Sequence, residues 1–233
     1  NVNSEGMDAK TVSFDVNGNR QSIECDYIIS TIPLTDLVNS LSKDGADDLK
    51  PDIDKLKFRG VRFMNIMVDR ADISQNTWMY VSEKRHIMTR IQEPKRRSPY
   101  SAPEGKTSVM LEIPCDVGDD VWSAGDKDIF SRCVNALDDL GVCIKDEVTD
   151  YFSTFVTHGY PIYSLNYNYH RKRLLDYVHK FNNVMTCGRQ GTFRYIFMDI
   201  AMDMGIAAAR KLIARSDMEK DERDEICSLS SEK

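Results

Sequence analysis

The chain has 233 residues and a formal net charge of −6, a size for one large domain or two small ones and a charge that argues against a general nucleic-acid surface. Hydrophobic residues make up 41% and charged residues 29%, enough to bury a core, and no apolar run approaches the roughly 20 residues of a membrane span. The first residues, NVNSEGMDAK, hold no apolar stretch of the kind a signal peptide needs. They also lack an initiator Met and start in mid-pattern, which reads as a piece of a longer polypeptide.

In chain order, KTVSFDVNGNRQSIECDYIIS predicts two strands joined at Asn17-Gly18, the strongest short hairpin signal. The second strand ends in a continuous apolar run, YIISTIP, which predicts a strand covered on both faces in a layered α/β domain. A short helix is expected at TDLVNSL, and residues 42–55, polar and punctuated by Gly and Pro, mark a connection. GVRFMNIMVD, NTWMYVS, RHIMTRI and KTSVMLEIP are strand-like stretches separated by polar turns.

A helix over 126–140 follows from Ile129, Phe130, Cys133, Val134, Leu137 and Leu140 at spacings of three and four, with Gly141 as its stop. VTDYFSTFVTH is a further strand, YNYHRKRLLDYVHKF a helix and NVMTCG a last short strand. Residues 198–214 form a helix that is apolar nearly all round and therefore expected to be buried. From Arg215 the composition turns charged, which predicts a frayed, disordered tail over 215–233.

Six cysteines are scattered without CxxC pairs or histidines at ligand spacing, so no metal site is expected and a reducing compartment, the cytoplasm, is the reading. The four histidines (His86, His158, His170, His179) show no nucleophile or metal partner at useful spacing. No Ser/His/Asp set, no GxGxxG and no complete phosphate loop is present; GKTS at 105–108 lacks the first glycine, since position 100 is Tyr.

Three stretches carry chemistry. In CGRQGTFRYIFMD, Gly188 and Gly191 let a backbone approach a ligand without a Cβ in the way, and the helix that follows offers N–H groups suited to an electron-rich oxygen or phosphate. A plain strand–turn–helix explains the same pattern. In MTRIQEPKRRSPYSAP, Arg90 sits on a strand and offers a fork to phosphate or carboxylate, whereas Lys95, Arg96 and Arg97 read as a solvated loop tip. In THGYPIYSLNYNYH, Tyr160, Tyr163, Tyr167 and Tyr169 crowd a Gly-Tyr-Pro turn, either to line a sugar or aromatic pocket or simply to pack.

Taken together, CDYIISTIP, TRIQEPKRRSPYSAP with TSVMLEIP, the GYP turn and GRQGTFRYIFMD with its Met-Gly-Ala-rich helix, in that order, resemble the C-terminal two-thirds of the flavin amine-oxidase superfamily. The likeness runs from about residue 10 to 214 and is strongest to protoporphyrinogen-oxidase-like proteins and UDP-galactopyranose mutases. It implies a mixed α+β and α/β fold: a partial FAD-binding domain without its N-terminal Rossmann βαβ, and a substrate domain with a mainly antiparallel sheet and flanking helices. The implied boundaries are 1–55 and 183–214 for the FAD-domain pieces and 56–182 for the substrate domain.

The resemblance further implies FAD as cofactor, held by Ser30, Thr31, Pro33, Gly188, Arg189, Met198 and Asp199. It also implies a small-molecule substrate, such as a diphosphate-linked sugar, met by Arg90, Tyr160, Tyr163 and Tyr195. No protein side chain is expected to be the catalytic nucleophile, because the flavin supplies the chemistry. Three functions stay open: a mutase-like enzyme of nucleotide- or lipid-linked sugars, an oxidase- or desaturase-type dehydrogenation, and a non-catalytic remnant serving as a binding module. Without the Gly-rich Rossmann turn, this chain alone is expected to bind FAD weakly or not at all.

Overall fold

A computed structural model gives the structure of the chain; it describes residues 1–41, 47–142 and 144–230, the side chains at 47 and 216–230 excepted. Its strands are β1 (Val2–Glu5), β2 (Asp8–Val16), β3 (Asn19–Glu24), β4 (Ile28–Ser30), β5 (Phe58–Val68), β6 (Trp78–Tyr80), β7 (Arg90–Gln92), β8 (Thr107–Cys115), β9 (Val148–Pro161) and β10 (Val184–Thr186). Its helices are α1 (Leu34–Leu41), α2 (Lys50–Lys55), α3 (Asp120–Ser123), α4 (Asp126–Asp139), α5 (Tyr167–Val178), α6 (Gly188–Gly191) and α7 (Met198–Ser230). Two compact units result, one of residues Asn1–Lys57 with Pro161–Lys233, the other of Phe58–Tyr160.

The first unit opens with the antiparallel meander β1-β2-β3. Asn17 and Gly18 both take positive φ, 51° and 79°, as a two-residue hairpin turn with the twist of its strands requires. The second strand does not run on to the apolar segment as expected. It stops at Glu24, and β4 belongs to a separate sheet, paired in parallel with β10. The buried Asn183 makes the corner: its Oδ1 accepts from the Ala9 N–H at 2.8 Å, and its Nδ2 donates to the carbonyls of Ala9 and Asp26, each at 2.7 Å. Nor is β4 covered on both faces, since Ile29 is 40% exposed.

Within the expected connection over 42–55, residues 42–46 lie outside the described residues, but 47–55 are helical: a 3₁₀ turn over Asp47–Leu49 leads into α2, with Pro51 in its first turn. Proline is tolerated there because the N–H it lacks has no partner in a first turn. The carboxylate of the buried Asp52 on α2 meets His170 Nδ1 at 2.7 Å and the Arg173 guanidinium at 3.0 Å, both on α5. Those bonds tie α5 to the first unit, whose second stretch begins at Pro161.

The last helix also departs from expectation. Its backbone continues to Ser230, well beyond 214 and through most of the charged tail. It is not a buried helix in this chain: Met198, Met202 and Ile213 are largely exposed, and a Cβ placed on Gly205 meets no atom within 4 Å. A helix that is apolar all round needs cover on several sides, and the described residues supply it chiefly through α6, which packs against its start.

The second unit is built on the five-stranded sheet β6-β7-β8-β5-β9, antiparallel along β6, β7, β8 and β5. Alternation along β5 and β8 sends Met64, Ile66, Leu111 and Ile113 to one face, where they pack on Ile129, Cys133, Val134 and Leu137 of α4. Each such aliphatic side chain contributes about 1.5–3 kcal/mol. Burial pushes the Cys133 thiol up to about 12, so it behaves as a small apolar group. Gly141 ends the helix with φ 73°. Arg62, fully buried beside the same core, is satisfied by the carbonyls of Val121 and Ala124 at 2.8 and 2.7 Å and by Asp126 at 2.6 Å. Gly-Tyr-Pro is not a turn but the last part of β9. A Cβ on Gly159 would come within 2.6 Å of Val61 Cγ2 and 3.2 Å of the Arg59 carbonyl, so that strand needs a bare residue where it lies on β5.

Candidate functional site

In the first unit, the parallel pairing of β4 with β10 puts the end of YIISTIP beside the glycine-containing bend. The Cys187 N–H donates to the Ser30 carbonyl at 3.0 Å. At Gly191 a Cβ would lie 2.7 Å from Thr186 Oγ1, 3.3 Å from the Ser30 carbonyl and 3.6 Å from that of Ile32, so the two segments touch only because this residue has no side chain. Gly188 holds φ 81°, with open space where its Cβ would be. Ser30 is buried and Thr31 exposed, while the Pro33 carbonyl accepts from Asp36 and Leu37 to start α1.

The bend does not lead straight into the long helix. One turn, α6, intervenes, followed by a loop locked by Arg189. That guanidinium donates to the Ile196 carbonyl from Nε at 3.1 Å and from Nη2 at 2.5 Å, and lies 4.7 Å from the Tyr195 ring centre. Tyr163 joins them: its hydroxyl accepts the Tyr195 N–H at 2.6 Å, and its ring stacks on Tyr167 at 4.3 Å. Arg189, Tyr163 and Tyr195 thus form one cluster, with both tyrosines about half exposed. Met198 and Asp199, both exposed, open α7. Its first helical bond runs from the Ala201 N–H to the Phe197 carbonyl, so Met198, Asp199 and Ile200 carry the first-turn N–H groups.

In the second unit, the sheet face opposite α4 is polar. Register places Tyr80, Arg90 and Glu112 in one row and Trp78, Gln92 and Met110 in the next. Arg90 Nε donates to Glu112 Oε2 at 2.9 Å, and its Nη2 bonds the same carboxylate and, at 3.2 Å, the Tyr160 hydroxyl. Tyr160 in turn donates to Glu112 Oε1. Partial burial pulls the Arg90 guanidinium down, but its bond and ion pair with Glu112 outweigh this and leave it above the ordinary arginine value. The carboxylate that Arg90 takes is therefore one of the chain's own.

Lys95, Arg96 and Arg97 are not a free loop tip. Lys95 donates to the carbonyls of Ala71 and Lys106, each at 2.9 Å, and Arg96 pairs with Asp72 and Glu93. Arg97 folds back on Gln92 Oε1 at 2.7 Å and over the Trp78 ring at 5.5 Å.

The structure thus brings Arg90 to Tyr160 in one unit, and Arg189 to Tyr163 and Tyr195 in the other. Sequence reasoning missed Glu112, Gln92, Trp78 and Tyr80. Glu112 had a signal, as the lone charge inside the apolar strand TSVMLEIP; the others are recognised only through cross-strand register. Among the described residues no group of His, Cys, Asp and Glu is placed to hold a metal ion, and no helix is long and apolar enough to cross a membrane.

Residues 3–213 match the family of flavin containing amine oxidoreductases. The chain belongs to that family. None of the curated proteins matches it. Among solved structures it is similar to a reduced UDP-galactopyranose mutase, at 20% identity and a TM-score of 0.68 over 82% of this chain and 41% of that one. It is also similar to a protein described as a protoporphyrinogen oxidase from Exiguobacterium sp., at 15% identity and a TM-score of 0.64 over 94% and 46%. A redesigned putrescine oxidase follows at 11% identity and a TM-score of 0.58 over 91% and 47%. At such identities the likeness is one of fold, and the chain spans less than half the length of each of these structures. The mixed α/β architecture with a mainly antiparallel sheet is common ground, and a flavin is the cofactor that the family implies.

Proposed function

We propose that this chain is part of an FAD-dependent enzyme of the oxidoreductase type that acts on a nucleotide- or lipid-linked sugar. The supporting observation is the contact of Gly191 with the carbonyls of Ser30 and Ile32. It joins two segments far apart in sequence at one edge, beside the open space at Gly188 and in the unit that also carries the exposed first turn of α7. A flat ring suits such a place, because a Cβ at Gly188 would occupy the space it needs.

In this reading Ser30, Thr31, Pro33, Gly188, Arg189, Met198 and Asp199 hold FAD. A bound flavin would accept a hydride from the substrate when oxidised or, when reduced, would supply the nucleophile. The chain's own residues bind and orient. The Gly188 backbone admits the ring, and the N–H groups of Met198, Asp199 and Ile200 favour negative charge at the helix start. Arg90 turns its remaining guanidinium N–H groups to substrate oxygens, while Glu112 and the Tyr160 hydroxyl, whose own hydrogen goes to Glu112, fix its direction. Ser30 and Gly191 keep the two segments in register.

Titration with FAD, read by flavin fluorescence in the longest natural polypeptide that contains this chain, tests the cofactor. Binding is expected, and Gly188→Val is expected to weaken it at least about tenfold by filling the open space. No flavin binding by that polypeptide overturns the reading and leaves the binding-module alternative. For the substrate, Arg90→Ala is expected to lower affinity for UDP-galactose, with Glu112→Gln lowering it less. Unchanged affinity in Arg90→Ala removes the sugar-diphosphate assignment. One observation favours a dehydrogenation of the protoporphyrinogen-oxidase type: Glu112 already neutralises Arg90, which lessens the pull of that cation on a diphosphate.

A further inference from the structure

With Arg90 neutralised, the anion-reading cation of the polar sheet face lies elsewhere, and we infer that Arg97, Trp78 and Tyr80 form a subsite for a ring-bearing anion. Arg97 is exposed, and among the described residues its side chain meets a neutral acceptor, Gln92 Oε1, and an aromatic ring, with no carboxylate ion-paired to it. Of its neighbours, Arg96 has Asp72 and Glu93, Lys106 has Asp69, and the Lys95 ammonium is spent on the carbonyls of Ala71 and Lys106. Arg97 therefore offers a guanidinium whose charge is not yet compensated, in a loop that is already shaped. Its own N–H donates to the Pro94 carbonyl at 2.9 Å, and Pro94 and Pro99 restrict the backbone on either side.

Beside it stand two rings that a folded domain would ordinarily cover. Trp78 is 48% exposed and Tyr80 73% exposed, both on β6 at the sheet edge and both facing the polar side. Each has a guanidinium at hand, Arg97 at 5.5 Å from Trp78 and Arg90 at 5.9 Å from Tyr80. An aromatic ring or the face of a sugar stacks on such surfaces and on the guanidinium plane, while a phosphate or carboxylate on that ring takes the Arg97 fork.

Gln92 links this pair to the buried polar network, since its Oε1 accepts from Arg97 and its Nε2 donates to Glu112 at 3.4 Å. Trp78 with Arg97 and the Arg90–Glu112–Tyr160 cluster are therefore joined by one hydrogen-bond network on the same sheet face of a single unit. Rings and Arg97 take the ring and its anion, and Arg90 with Tyr160 meets the neighbouring part of the same molecule. The assignment rests on the sugar-substrate reading only in taking this face as the one the substrate meets.

The chain holds two tryptophans, so Trp122→Phe leaves Trp78 as sole reporter and keeps an aromatic ring against Phe155. In that background, phenyl phosphate is expected to quench Trp78 saturably, with inorganic phosphate and phenol each at least about tenfold weaker. Arg97→Gln keeps a polar side chain beside Gln92 but removes the charge, and is expected to weaken phenyl phosphate about tenfold. Circular dichroism and the melting temperature are expected to stay unchanged. Should Trp122→Phe not fold, calorimetric titration of the parent chain and of Arg97→Gln gives the same comparison.

The subsite is overturned if phenyl phosphate does not bind saturably, if inorganic phosphate binds equally well, or if Arg97→Gln binds as the parent does. The two ideas fail separately. Loss of phenyl phosphate binding with UDP-galactose affinity still dependent on Arg90 sinks the subsite alone. Arg97-dependent phenyl phosphate binding with no effect of Arg90→Ala on UDP-galactose sinks the sugar reading alone.

Discussion

Helices α4 and α7 make opposite use of apolar residues. Helix α4 is amphipathic, and its apolar stripe of Ile129, Cys133, Val134 and Leu137 is shut against the sheet of its own unit. Helix α7 is more evenly apolar over its first turns, yet Met198, Met202, Ile206 and Ile213 face solvent. The difference is one of pattern: a stripe specifies one partner surface, which the chain provides, whereas apolarity on all sides asks for several and is met here on one. Composition alone therefore ranks these helices in the wrong order of burial.

The largest effect that breaks or sharpens this contrast is expected in α4. Leu137→Ala should cost about 2–5 kcal/mol, since a fully buried Leu leaves a cavity, whereas Ile206→Ala in α7 should stay within about 0.5 kcal/mol. Urea midpoints measure both, and equal costs would erase the distinction. Next comes Gly191→Ala. Its Cβ would crowd Thr186 Oγ1 and two backbone carbonyls, which should cost about 1–3 kcal/mol and loosen β4 from α6, seen as faster amide exchange at Cys187.

A third test uses acid. Burial raises the Glu93 carboxyl, but the N–H groups of Ile73 and Ser74, the Thr107 hydroxyl and Arg96 overcome this and hold it below the ordinary glutamate value. A depressed folded value means that its contribution is full above about pH 4.3, the unfolded value, and is lost as pH falls through the lower folded value. Glu93→Gln should thus flatten the acid limb of stability, followed by tryptophan fluorescence, since both tryptophans lie in the Phe58–Tyr160 unit. The smallest effect is expected at Gly205. With nothing near its would-be Cβ, Gly205→Ala should stabilise by up to about 1 kcal/mol through helix propensity. A loss of stability would show that this face of α7 is packed.

Local features were legible in the sequence. The Asn17-Gly18 turn, the span of α4 with its Gly141 stop and the five strands of the second unit follow from neighbouring residues, because turn chemistry and periodicity act over a few positions. The break after Glu24 was not legible, since Asn183, far along the chain, makes it. The burial of β4 was overestimated because an apolar run states what a strand prefers, not what is there to cover it.

The candidate residues divided in the same way. Arg90 was visible as a cation on a strand, yet its partner Glu112 sits on the neighbouring strand and Arg97 returns to Trp78 through a loop. Register and loop return are set by tertiary pairing, and one sequence does not display them.

The strands entering and leaving the Phe58–Tyr160 unit are stitched together at their shared base, where the Ile162 N–H donates to the Lys57 carbonyl at 2.8 Å. A segment whose two ends emerge side by side can be exchanged for another, or replaced by a few linker residues, without stretching the polypeptide that hosts it. Evolution or an engineer can in that sense refit residues 58–160 while leaving the wiring of residues 1–57 and 161–233 alone.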